Sequence, residues 1–231
     1  MNRQVLGIRD KNGVMAEYIT LPEGNLLKVP ENVSSKEAVL TEPLAAAFRI
    51  TEQIDFQPGL SIAVIGDGKL GLLIAEVIRL QPKTSLTIFG RHAKKMTKVK
   101  DVNSVVVSKE AEQVLHEEQL KEYENNFDIV VEATGSLNGL NMAGRICMPL
   151  GKVILKTTCA GGVEGFQSSL FVIKEIAVIG SRCGDMKVAL NAMEKKKVDV
   201  TKYISAEYRL QEAAAAFQRV KRGSLHILLR S

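Results

Sequence analysis

The sequence predicts an α/β fold, a doubly wound parallel sheet accompanied by pieces of a β-rich unit, and three observations carry that expectation. Between residues 61 and 184, short apolar runs at 62–65, 86–89, 104–107, 128–132, 152–156 and 176–180 are separated mostly by helical patterns. Strands that alternate with helices build parallel sheets from βαβ units. The first apolar run passes directly into a glycine-rich turn, Gly66-Asp67-Gly68-Lys69-Leu70-Gly71. Outside this region, residues 13–30 read as extended segments broken by Pro22-Glu23-Gly24-Asn25, and residues 205–229 as strand, helix and strand.

Taken in order, Ile62-Ala63-Val64-Ile65 is apolar at every position, as a strand covered on both faces requires. After the turn, Leu70, Leu73, Ile74, Val77 and Ile78 recur at helical spacing. A strand, a G-x-G-x-x-G turn and a helix form the phosphate-binding unit of a Rossmann fold. Gly66 allows the tight turn, Gly68 lets the backbone approach a pyrophosphate, Gly71 lets helix and strand pack closely, and Lys69 and Leu70 open the helix whose N–H groups face the phosphates. Asp67 would oppose a pyrophosphate if turned inward, so it is expected to face solvent.

The second strand ends in Gly90-Arg91-His92-Ala93-Lys94-Lys95. An acid normally stands here to hold the ribose 2′-OH of NAD. Gly90 leaves room for a 2′-phosphate and the Arg91 guanidinium can pair with it, which favours NADP over NAD. Arg91 also fits the solvated face of the next helix, as Lys98 and Lys100 do, and both readings stay open. The fourth strand runs into Thr134-Gly135, the fifth into Lys156-Thr157-Thr158, and the sixth into Ser181-Arg182-Cys183. Lys195, Lys196 and Lys197 suit a helix C-terminus, and Ala213 to Ala216 are good helix formers.

The whole-chain composition narrows the classes of function. The 231 residues carry 45% hydrophobic and 25% charged residues, an ordinary globular balance. The net charge of +5 is spread along the chain, and with no Trp, seven Phe and four Tyr there is no stacking platform, so no nucleic-acid partner is expected. No run reaches the roughly 18 apolar residues of a membrane helix, and the N-terminus does not resemble a signal peptide. Cys147, Cys159 and Cys183 are widely spaced and read as reduced thiols. A cytoplasmic protein without a membrane partner is the expectation.

Several segments, in their order, resemble the medium-chain dehydrogenase/reductases, which include zinc alcohol, sorbitol and threonine dehydrogenases. Gly13-Val14-Met15-Ala16-Glu17-Tyr18-Ile19 is similar to that family's G-x-x-A-E-Y strand, and Leu27-Lys28-Val29-Pro30-Glu31-Asn32-Val33 to the segment that follows it. Glu42-Pro43-Leu44-Ala45 resembles the E-P-L-A of the polyol and sugar branch, Val131-Glu132-Ala133-Thr134-Gly135 the end of the fourth Rossmann strand, and residues 212–229 the closing helix and strand. The resemblance implies residues 1–40 as a remnant of a GroES-like catalytic domain, 41–190 as the NAD(P)-binding domain, and 191–231 as a segment returning to the catalytic domain.

It further implies that Thr134 and Gly135 lie near the adenosine ribose and pyrophosphate. The loops of Thr157 and of Arg182-Cys183 would meet the nicotinamide carboxamide, and His226 would stand near the pyrophosphate or take a core or edge role. In the zinc-dependent branch, a segment ahead of Gly13 supplies the catalytic Cys and a Gly-His-Glu motif. This chain has no Cys before Cys147 and no His before His92, so it is read as lacking that segment, and no catalytic zinc is expected in it alone. His92 and His116 are expected to be exposed on helices. Glu42 reads either as a catalytic group near a metal or as a partly buried acid at a helix start. The sixth strand should form a sheet edge and, as in the family, pair across a twofold axis in a homodimer. The function implied is hydride transfer between NADP and an alcohol, polyol or sugar; the alternative is a catalytically inactive NAD(P)-binding or structural partner module.

Overall fold

The computed structural model describes residues 4–107, 117–159, 164–221 and 223–230. Helices α1 (Ser35–Ala38) and α2 (Thr41–Gln53) precede an alternating series: β1 (Ser61–Ile65), α3 (Lys69–Ile78), β2 (Ser85–Gly90), α4 (Ala93–Met96), β3 (Asn103–Val106), α5 (Glu117–Lys121), β4 (Phe127–Glu132), α6 (Leu137–Ile146), β5 (Cys147–Leu155), α7 (Ser168–Ile173), β6 (Ala177–Gly180) and α8 (Met186–Glu194). The chain then adds β7 (Ile204–Arg209), α9 (Ala213–Lys221) and β8 (His226–Arg230).

The first six strands form one parallel sheet in the order β3-β2-β1-β4-β5-β6. This is the Rossmann arrangement, in which the strand order reverses beside β1 and opens a crevice at the carboxyl ends of the strands. The apolar stretch Ile62–Ile65 of β1 takes a central place because both of its faces are covered. Ile62 and Val64 pack with α2, α3 and α8 on one face, while Ala63 and Ile65 join Phe89, Val130, Met142 and Phe171 on the other. The sixth strand is a sheet edge, as the sequence predicts, with Val178 half exposed.

The small parallel β7–β8 sheet is tied to α3 through Glu76, whose side chain is fully buried. Its carboxylate accepts from the Tyr203 hydroxyl at 2.7 Å and pairs with Lys202 at 2.5 Å and Arg79 at 2.7 Å. A buried charge needs this degree of pairing, because each unpaired oxygen would keep its desolvation cost. Burial, followed by the Glu76 contact, pushes the Tyr203 phenol far above its ordinary value.

Residues 13–19, expected as a strand, form none, and Val14, Met15, Tyr18 and Ile19 are exposed. A strand is stable only when a neighbour completes its ladder, and no described segment runs beside this one. Glu42 lies in the first turn of α2 and is exposed rather than partly buried. His116 falls outside the described residues. None of the described helices is long and apolar enough to cross a membrane.

Candidate dinucleotide site

The site begins where β1 stops. Gly66 has φ +121°, its N–H donates to the Phe89 carbonyl at 2.8 Å, and a Cβ there would approach the Ala133 carbonyl oxygen at 3.0 Å. A Cβ at Gly71 would collide with the Gly66 carbonyl, so the helix sits against the turn as closely as glycine permits. Gly68 is the N-cap of α3, and among the described residues no side chain caps that helix end and nothing lies within 4 Å of where a Gly68 Cβ would stand. The first turn of α3, with Lys69, Leu70 and Gly71, therefore presents N–H groups and the positive end of a helix dipole to open space, an arrangement suited to a pyrophosphate.

The neighbouring end of β2 differs from the sequence expectation. Asp67 does not face solvent: it is only 7% exposed and folds back toward Gly90. A Cβ at Gly90 would lie 2.6 Å from Asp67 Cβ and 2.8 Å from both Asp67 Cγ and Met96 Sδ. The room that Gly90 creates is therefore filled by Asp67. The Asp67 Oδ2 accepts from the His92 backbone N–H at 2.6 Å and stands 2.9 Å from His92 Nδ1. His92, expected as an exposed helical residue, instead flanks α4 as its N-cap and holds the loop carboxylate. Arg91 is exposed and forms no ion pair among the described residues.

The ends of β4, β5 and β6 complete the crevice through two buried polar groups that sequence reasoning did not single out. Glu132, 2% exposed, accepts from the backbone N–H of Thr134 at 2.6 Å, from the Thr134 hydroxyl, and from the Thr157 hydroxyl at 2.6 Å. This one carboxylate fixes both loops. Gly135 adopts φ +68°, and a Cβ there would meet the Thr158 carbonyl at 3.3 Å, so these loops run side by side. Lys156 donates to the Ala46 carbonyl at 2.5 Å, the Arg182 carbonyl at 3.0 Å and the Ser181 hydroxyl at 3.2 Å. Its ammonium thus joins α2 to the ends of β5 and β6, and burial pushes its pKa down to about 8. Arg182 and Cys183 are exposed at the end of β6. The available signal for both buried groups was a charged residue at the end of an otherwise apolar strand.

His226, at the start of β8, is a neutral group. Burial and then the nearby Lys69 ammonium push its pKa down to about 4, and its Nε2 is buried without a hydrogen-bond partner among the described residues. Among the described residues no three His, Cys, Asp or Glu side chains gather as a metal-binding set. Glu42, the acid that the resemblance places near a metal, is exposed and belongs to no such set among the described residues.

Comparison with known proteins agrees with this geometry. Residues 50–148, which include β1 through β4, match the family model described as shikimate / quinate 5-dehydrogenase. The D-xylulose reductase A of Aspergillus oryzae is 33% identical over 227 residues, covering 92% of this chain and 61% of that protein. A solved short chain alcohol dehydrogenase from Escherichia coli CFT073, complexed with NADH, superposes with a TM-score of 0.85 at 21% identity, over 99% of this chain and 68% of that one. A zinc-binding dehydrogenase from Sinorhizobium meliloti 1021 bound to NADP gives a TM-score of 0.77 at 20% identity, over 90% of this chain and 63% of that one. The chain spans about 61% of the length of the curated relatives it matches. The similarity to the reductase extends well beyond the Rossmann sheet, over nearly the whole of this chain, and the chain resembles the medium-chain dehydrogenase/reductases in fold and sequence.

Proposed function

We propose that the chain binds a nicotinamide dinucleotide across the carboxyl ends of its sheet and serves an oxidoreductase of the alcohol, polyol or sugar class. The observation that carries this reading is the uncapped N-terminus of α3 behind the Gly66–Gly71 turn, next to the point where the strand order reverses. Gly66, Gly68, Lys69, Leu70 and Gly71 would hold the pyrophosphate. Gly90, Arg91, Thr134 and Gly135 would border the adenosine side, and Thr157, Arg182 and Cys183 the nicotinamide side. The cofactor supplies the hydride chemistry, exchanging hydride with a carbinol carbon, while the protein binds and orients it. The polyol and alcohol dehydrogenase relatives support the substrate class.

The sequence favours NADP through Arg91, but its other premise, an open space at Gly90, is not met, because Asp67 occupies that space. We further propose residues 1–40, 41–190 and 191–231 as three functional segments, a homodimer through the β6 edge, and a cytoplasmic setting.

Fluorescence titration with NADH and NADPH, in a chain that has no Trp to obscure the signal, tests the central claim. At least one form should bind with a micromolar dissociation constant. Gly71→Ala should abolish binding, because its Cβ meets backbone that cannot yield. Binding of neither form by the intact chain would move the weight to a structural partner.

A further inference from the structure

We infer that Asp67, held in place by His92, recognises the adenosine ribose, so that the chain prefers NAD to NADP. This inference rests on the dinucleotide reading above. In a Rossmann site the ribose hydroxyls are met by an acid that rises from the end of the second strand. Here that strand ends in Gly90, and the acid arrives from the glycine loop instead. The Asp67 Cβ lies 2.6 Å from where a side chain at Gly90 would begin, so its carboxyl group emerges at the place a strand-borne acid would occupy.

The orientation of the carboxylate is fixed. Its Oδ2 receives the His92 backbone N–H at 2.6 Å and faces His92 Nδ1 at 2.9 Å, while its Oδ1 has no hydrogen bond among the described residues. An ionised carboxylate only accepts hydrogen bonds. The free oxygen therefore suits a ribose hydroxyl, which donates, and opposes a 2′-phosphate, which is itself an anion that only accepts. Arg91 pulls the other way. Its side chain, however, is exposed and unpaired among the described residues, so its attraction is screened and requires ordering of a long chain. The Asp67 side chain is only 9% exposed and already ordered, so its repulsion acts at short range in a less polar setting. On this balance the fixed acid prevails over the mobile base. His92 is a positioning residue that acts through Asp67.

Calorimetric titration of the full chain with NAD and with NADP, alongside Asp67→Asn, His92→Ala and Arg91→Ala, tests the inference. The wild type should bind NAD at least about tenfold more tightly than NADP. Losing a charge-assisted hydrogen bond costs about 10- to 100-fold in affinity, so Asp67→Asn should weaken NAD by that factor and leave NADP unchanged or tighter. His92→Ala, which leaves the glycine loop intact, should move both affinities in the same directions by less, and Arg91→Ala should weaken NADP more than NAD. Tighter NADP than NAD binding in the wild type would overturn the inference and leave the dinucleotide reading standing. An equal loss for both cofactors in Asp67→Asn, with an unchanged melting temperature, would also overturn it by showing that the acid only shapes the loop. Binding of neither cofactor by the wild type would overturn the dinucleotide reading and this inference with it.

Discussion

His226 illustrates how one side chain links the site to stability. Its folded-state pKa of about 4 lies below the ordinary value of 6.5, because burial and the Lys69 ammonium disfavour its cation. As pH falls from 6.5 to 4, the unfolded chain takes up a proton that the folded chain refuses, so stability falls across that window. Discounted for partial exposure, the loss is about 2 kcal/mol. His226→Gln should flatten this part of the stability curve while leaving stability at pH 8 nearly unchanged, as followed by urea unfolding at a series of pH values. A curve with the same acid slope would show that His226 is solvated. The glycine turn was legible in the sequence because the spacing of Gly66, Gly68 and Gly71 states a backbone requirement locally. The direction of Asp67 was not, because it depends on the missing Cβ of Gly90 and on the N–H of His92, 25 residues further along. The same distance in sequence hid the role of Glu132, whose partners include the Thr157 hydroxyl.

Whole elements were more legible than side-chain directions, because alternating apolar runs and helical patterns are repeated signals. All six Rossmann strands stand close to where the sequence places them, and β6 lies at the edge. The expected strand at 13–19 failed for the converse reason, since its sequence is strand-like but its ladder needs a neighbour. The β6 edge has the same need. Val178 is half exposed on it, and Val172 and Ile173, at the end of α7, lie largely exposed nearby. An unpaired parallel edge with an apolar border invites another strand, which is the physical case for the proposed homodimer. Val178→Lys places a charge on that edge and should convert the dimer to monomer at micromolar concentration, with little change in melting temperature at high dilution. Light scattering checks this, and a wild type that is already monomeric at that concentration would remove the basis for the dimer.

Over the whole molecule, stability is unevenly distributed. The two hydrophobic clusters lie on opposite faces of one sheet, and the earliest residue in either is Val33. From there the chain is fastened. The Asn32 side chain donates to the Glu194 carbonyl at 2.9 Å, the Asn32 carbonyl accepts from Lys196 at 2.7 Å, and Ser34 and Glu37 form a capping box on α1. Ahead of Asn32, the described regular structure amounts to a Val5–Arg9 bridge and a short turn at Glu23–Asn25, with Ile8, Val14, Met15, Tyr18 and Leu26 exposed. Backbone with so few partners opens locally without the rest of the fold opening. Limited proteolysis should therefore cut between residues 10 and 30 first, leaving a fragment that begins near Asn32 and still melts cooperatively. Because the glycine turn and the ends of β2, β4, β5 and β6 all lie within that fragment, it should keep the dinucleotide affinity of the intact chain. Mass spectrometry of the digest, followed by titration of the purified fragment, checks both parts. Equal resistance along the chain would mean that a partner, such as a second copy, covers the exposed apolar residues.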